Sequence, residues 1–259
     1  MRDVLNRTNL WRCLTVAIVV IASGCRATLP STLEPQPIPY EPKPCIVYVA
    51  DGAGNFQMAS KAFRLVAGTD HYPLEVRRFE WSHGKGRIVA DQICYQYARQ
   101  QGERFADELR ACKASHPEMP IHVVGHSAGA MATLAALEAV PEGIVDHAVL
   151  LAPSVSSTYD LRPALQKVRV GLHVFYSEND LSYLGLWTSV LGNTDRKWTI
   201  SSGLTGFRVV DDPERPESHQ KLHQHAWHPN HLHLGNDGGH YGCYQPDFLR
   251  AKVLPLLCR

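Results

Sequence analysis

The sequence has no dominant charge: 26 Lys and Arg stand against 25 Asp and Glu, a formal net charge of +1 over 259 residues. Without a long basic run it lacks the field that draws polyanions, so nucleic acid is excluded as an expected partner. It has no apolar run of the roughly 20 residues that a membrane-spanning helix needs, and no internal repeat. None of its seven cysteines sits in a C-x-x-C pair, which removes the common zinc and dithiol spacings. What remains is 44% hydrophobic and 20% charged, the profile of a globular chain rather than a disordered one.

The first residues differ in kind from the rest. Arg2, Arg7 and Arg12 precede a short apolar run over 14–22, and the small residues Ala22, Ser23 and Gly24 lead to Cys25. Residues 1–24 are therefore expected to be an export signal. Their end resembles the bacterial lipobox, in which the cysteine is lipidated and becomes the mature N-terminus. The resemblance implies a lipid on Cys25, a membrane anchor and a place in the cell envelope. A plain signal cut nearby, or an anchor left uncleaved, are the other readings. Six prolines between Pro30 and Pro44 favour extended backbone, so 25–44 reads as a tether. Residues 45–259 then form one domain, expected to be a monomer.

Five cysteines fall in that domain: Cys45, Cys94, Cys112, Cys243 and Cys258. Export places them in an oxidising compartment, and their odd number leaves one unpaired. Cys45 is expected to begin a strand, and Cys112 and Cys258 to end helices, so any bridge should join Cys45 to Cys258 or to Cys112. A continuous helix over 88–115 would hold Cys94 and Cys112 about 27 Å apart.

From Cys45 onward, β-rich runs at 45–50, 74–81, 121–125, 145–151 and 170–176 alternate with stretches of helical period. The longest of these is 88–115. Residues 131–140, 181–191 and 245–257 also read as helices, and 206–210 and 221–227 as further candidate strands. Such alternation predicts an α/β architecture with a mainly parallel sheet and helices on both faces.

Gly125-His126-Ser127-Ala128-Gly129 follows a buried strand and precedes an Ala- and Leu-rich helix. That is the strand-turn-helix that holds a serine exposed on a strained turn. In this motif and in element order over 45–259 the sequence resembles the α/β-hydrolase superfamily, in a compact variant with the leading strands reduced and no separate cap domain between 152 and 170. The resemblance implies a nucleophile at Ser127, followed along the chain by an acid and then a histidine. Asp180, after the strand at 170–176, matches the acid. His240, in the glycine-rich run 236–242, is the preferred histidine, with His231 and His233 left open; His223 and His225 alternate on a candidate strand. Backbone amides of Ala128 and of Ala53, in the loop after the first strand, are the implied oxyanion donors. Many relatives have His-Gly where this chain has Asp51-Gly52.

The expected activity is hydrolysis of small-molecule or lipid carboxylic esters by a Ser-His-Asp triad, without cofactor or metal, at a fairly open cleft. Two readings from other classes stay beside it: a non-catalytic envelope-binding lipoprotein that keeps the fold, and a metal-binding module. The second is prompted by seven of the 14 histidines falling between His219 and His240.

Overall fold

The computed structural model describes residues 43–70, 72–209 and 218–258. The expected signal, the expected lipidation site Cys25 and all but the last two residues of the expected tether lie outside them.

Six strands pair into one sheet: β1 Cys45–Ala50, β2 Leu74–Phe79, β3 Ile121–His126, β4 His147–Leu151, β5 Gly171–Tyr176 and β6 Leu222–Ala226. Their order is β2-β1-β3-β4-β5-β6, and every pairing is parallel. β1 and β3 are buried along their whole length, as continuous apolar runs in a doubly covered sheet must be. On one face lie α1 Met58–Thr69 and a C-terminal helical run made of Pro246–Phe248, Leu249–Val253 in π geometry and Leu254–Leu257. On the other lie α3 Tyr95–Ser115, α4 Gly129–Ala139 and α5 Arg162–Lys167. This is the expected α/β architecture, a parallel sheet with helices on both faces. Gly102 lets α3 close on α4: an added Cβ would stand 2.9 Å from the Ala132 carbonyl oxygen and 3.0 Å from the Ala136 nitrogen.

The chain passes from β1 to β2 on one side and returns to β3 on the other. The loops that leave the carboxyl ends of β1 and β3 therefore diverge and open a crevice between them, the switch point at which open α/β sheets bind ligands.

Three sequence expectations are corrected. The helix over 88–115 is two helices, α2 Ile88–Ile93 and α3, because Cys94 leaves the helical region at φ −89° and ψ 70°. Asp91 and Gln92 of α2 bond to loops at the crevice, which an unbroken helix would not reach. Residues 206–209 are not a strand. There the Gln224 side chain accepts from the Phe207 amide at 2.6 Å and donates to its carbonyl at 3.0 Å, so a side-chain amide takes both groups that a neighbouring strand would. Residues 181–191 begin with a π turn, Leu181–Gly185, before α6 Leu186–Leu191.

Candidate active site

Ser127 leaves β3 with φ +52°, a left-handed conformation that serine seldom adopts. Hydrogen bonds over-determine it: the Ser127 amide donates to Leu151 O at 3.0 Å, and its carbonyl accepts from Ala130 at 3.1 Å and Ser154 at 3.1 Å. The flanking glycines are required by close approach. A Cβ on Gly125 would meet Ala130 Cα at 2.8 Å, and one on Gly129 would meet the Ala50 carbonyl oxygen at 2.5 Å.

The structure brings Ser127, His240 and Asp180 together. His240 Nε2 lies 2.9 Å from Ser127 Oγ, and His240 Nδ1 lies 2.6 Å from Asp180 Oδ2. A carboxylate only accepts, so Nδ1–H donates to Asp180, and Nε2 is left to accept the serine proton. Ser127 retains 9% exposure, whereas His240 and Asp180 are buried at 6% and 2%. Asp180 Oδ1 has no hydrogen-bond partner among the described residues.

The turn that carries His240 is pinned from two sides. Trp227 Nε1–H donates to Asn236 O at 2.9 Å, and the Gly238 amide donates to Asn236 Oδ1 at 3.0 Å. His126 Nε2 stands 3.2 Å from the His240 carbonyl, which fixes that nitrogen as the protonated one. Burial, and then the nearby His240, push the His126 pKa down to about 3, so this imidazole stays a neutral donor.

The loop after β1 abuts the elbow. A Cβ on Gly52 would lie 3.2 Å from Ser127 Cβ. Among the described residues the amides of Ala53 and Ala128 donate to no acceptor, whereas Gly54 N–H is spent on Asp91 Oδ2 at 2.7 Å. Asp51, at the departure from His-Gly, turns its carboxylate away toward α1 and accepts from the Ser60 amide at 3.0 Å, acting as a cap for that helix. Burial raises its pKa above the ordinary carboxylate value, and Trp81 Nε1–H holds the Asp51 carbonyl at 2.6 Å.

Asp91 is the residue that sequence reasoning missed. Fully buried, it accepts from Gly54 N–H, from Ser82 Oγ–H at 2.6 Å, and from His83 N–H at 2.8 Å. The Trp81-Ser82-His83-Gly84 turn thus braces the loop through it. The signal was an acid inside the apolar run Ile88-Val89-Ala90-Asp91-Gln92-Ile93.

His225 and His231 line a cavity with Asp180 and hydrogen-bond to groups other than Ser127. His231 is tied to His228, whose amide donates to its Nδ1 at 3.2 Å, and its ring lies 5.3 Å from that of Phe248. His225 Nε2 lies 3.2 Å from His173 Nδ1, and the His223 and His173 rings stack at 4.8 Å. Among the described residues no three His, Cys, Asp or Glu side chains are grouped to hold a metal ion. No helix among them is long and apolar enough to cross a membrane.

Residues 60–157 match the family described as Lipase (class 3), a segment that includes Ser127 and stops short of Asp180 and His240. Among solved structures, a cutinase-like protein from Cryptococcus sp. is similar at 12% identity and a TM-score of 0.43, covering 83% of this chain and 98% of that one. A lipase-esterase related protein from Clostridium acetobutylicum ATCC 824 is similar at 11% identity and a TM-score of 0.48, covering 83% and 94%. No curated protein sequence matches the chain.

Proposed function

We propose, from the match of residues 60–157 to the Lipase (class 3) family and the parallel sheet, that this chain is an α/β-hydrolase and a serine hydrolase of carboxylic esters. The observation that carries the proposal is the hydrogen-bonded chain from Ser127 Oγ through His240 to Asp180, set on a left-handed turn at the sheet's switch point. Ser127 attacks the acyl carbon as His240 Nε2 takes its proton, and Asp180 orients the imidazole and stabilises its charged form. The free amides of Ala53 and Ala128 stabilise the developing oxyanion. His240 returns the proton to the leaving alcohol, and water, activated by the same imidazole, releases the acid.

A fluorophosphonate probe tests this directly. It should form one covalent adduct, which peptide mapping locates on Ser127. A folded protein that resists the probe and leaves short p-nitrophenyl esters intact would instead be a non-catalytic bearer of the fold.

We further propose that the enzyme is exported and held in the cell envelope by lipid on Cys25, since acyl chains supply a membrane affinity that a near-neutral domain lacks. Cys25→Ser should move the protein from the detergent phase to the aqueous phase; unchanged partition would refute the anchor.

A further inference from the structure

The two ends of the domain meet at a pair of thiols. Cys45 opens β1, Cys258 follows the last helical turn, and their sulfurs lie 3.9 Å apart. Both side chains are buried, at 1% and 0% exposure. The Lys43 amide donates to the Cys258 carbonyl at 3.1 Å, which holds the two backbones side by side. Both sulfurs belong to the apolar cluster between the sheet and the face covered by α1 and the C-terminal run.

The other cysteines are engaged elsewhere. Cys112, the alternative partner left open by the sequence, lies in the cluster on the opposite face, beside Arg77. Cys243 sits 3.7 Å from the His240 carbonyl. The gap between the Cys45 and Cys258 sulfurs exceeds a disulfide length of about 2.05 Å by an amount within the swing of two side chains.

We propose that Cys45 and Cys258 form a disulfide clasp that closes the domain when the chain meets a disulfide donor such as oxidised glutathione. One of the two sulfurs, as a thiolate, attacks one donor sulfur, and half of the donor leaves as a thiolate that takes up a proton. The second sulfur, giving up its own proton, then attacks the mixed disulfide and expels the other half. Two protons and two electrons pass from the cysteine pair to the donor, which ends as two thiols.

The clasp joins the strand whose end bears the Asp51 to Asn55 loop to the helical run that follows the His240 turn. It therefore guards the site against opening from the chain ends. It stands independently of the proposed esterase activity.

The test is peptide mapping of the wild-type full chain, treated with oxidised glutathione and alkylated in denaturant. The expected product is one cross-linked pair of peptides, containing Cys45 and Cys258. Reduction should lower Tm by about 5–15 °C, the usual scale for a bridge that closes a long loop in a domain of this size. Cys45→Ser and Cys258→Ser should each abolish that redox-dependent shift, and Cys94→Ser should keep it. Alkylation of both cysteines in a folded, oxidised sample overturns the proposal, as does a glutathione adduct without the cross-link or the same Tm in both redox states. The mapping uses unmutated protein, so its outcome does not depend on a serine variant folding.

Discussion

At the scale of the residue, Ser127 concentrates the cost and the use of the site. A left-handed serine costs of order 1 kcal/mol and persists only where its surroundings over-determine it; here the Leu151 carbonyl and the Ala130 and Ser154 amides do so. The strained turn sets Oγ 2.9 Å from His240 Nε2, and the proposed role of the side chain is chemical rather than a matter of packing. Ser127→Ala should therefore leave Tm nearly unchanged while ester turnover falls about a thousandfold or more, and His240→Ala should lose a similar factor. His231→Ala and His233→Ala should retain turnover within a few-fold, because His231 is committed to His228 and Phe248. Steady-state kinetics on purified, folded variants distinguish these outcomes. An indispensable His231 would transfer the role of base to it.

At the scale of the element, the short helix α2 has the effect on the site that its helical period conceals. By breaking from α3 at Cys94 it turns Asp91 toward Gly54 and the Ser82-His83 turn. Gln92 donates to Ser154 Oγ at 2.8 Å and to the Gly192 carbonyl at 3.0 Å, which ties α2 to the segments beyond β4 and α6. Asp91 positions the loop that presents the Ala53 amide and touches no reacting atom. Asp91→Asn keeps the shape and replaces one acceptor oxygen with a donor facing other donors. Its expected effect is a drop in kcat of roughly tenfold with KM little changed, because a misplaced oxyanion donor weakens the transition state more than the bound substrate. A proportional rise in KM with constant kcat would point to a substrate-binding role instead.

At the scale of the whole molecule, the sheet carries a ladder of imidazoles across four strands. His122 of β3 and His147 of β4 are paired in register, and His147 Nδ1 lies 3.2 Å from His173 Nε2 of β5. His223 and His225 of β6 complete it. Burial first, and then the neighbouring imidazoles, lower His122 to about 4 and His173 to about 3. Asp146 pulls His122 and His147 upward, Arg169 opposes it, and Lys252 presses on His225 from the C-terminal run. A histidine whose folded pKa lies below its unfolded value of about 6.5 takes up its proton more readily in the unfolded chain. Stability is then complete above about pH 6.5 and declines as pH falls toward 4. Thermal melts from pH 7.5 to 4.5 should show that decline, and His173→Gln should flatten it. A parallel slope in the variant would assign acid sensitivity to other groups.

Much of this was legible along the chain, because the signals are local. Alternation of apolar runs sets strand against helix over a few residues. Gly125 to Gly129 specifies a strained turn because only glycine fits on either side of Ser127. Asp180 stands out because it follows the carboxyl end of β5, while the order of serine, acid and histidine comes from the family resemblance. The break at Cys94, the bracing by Asp91, the capping of α1 by Asp51, the placing of His240 rather than His231 against Ser127 and the meeting of Cys45 with Cys258 are of another kind. Each depends on groups that lie in different elements or loops and that only folding brings together. Sequence periodicity reports which face of an element is buried and is silent about which distant donor, acceptor or sulfur it meets there; only the packed chain decides that.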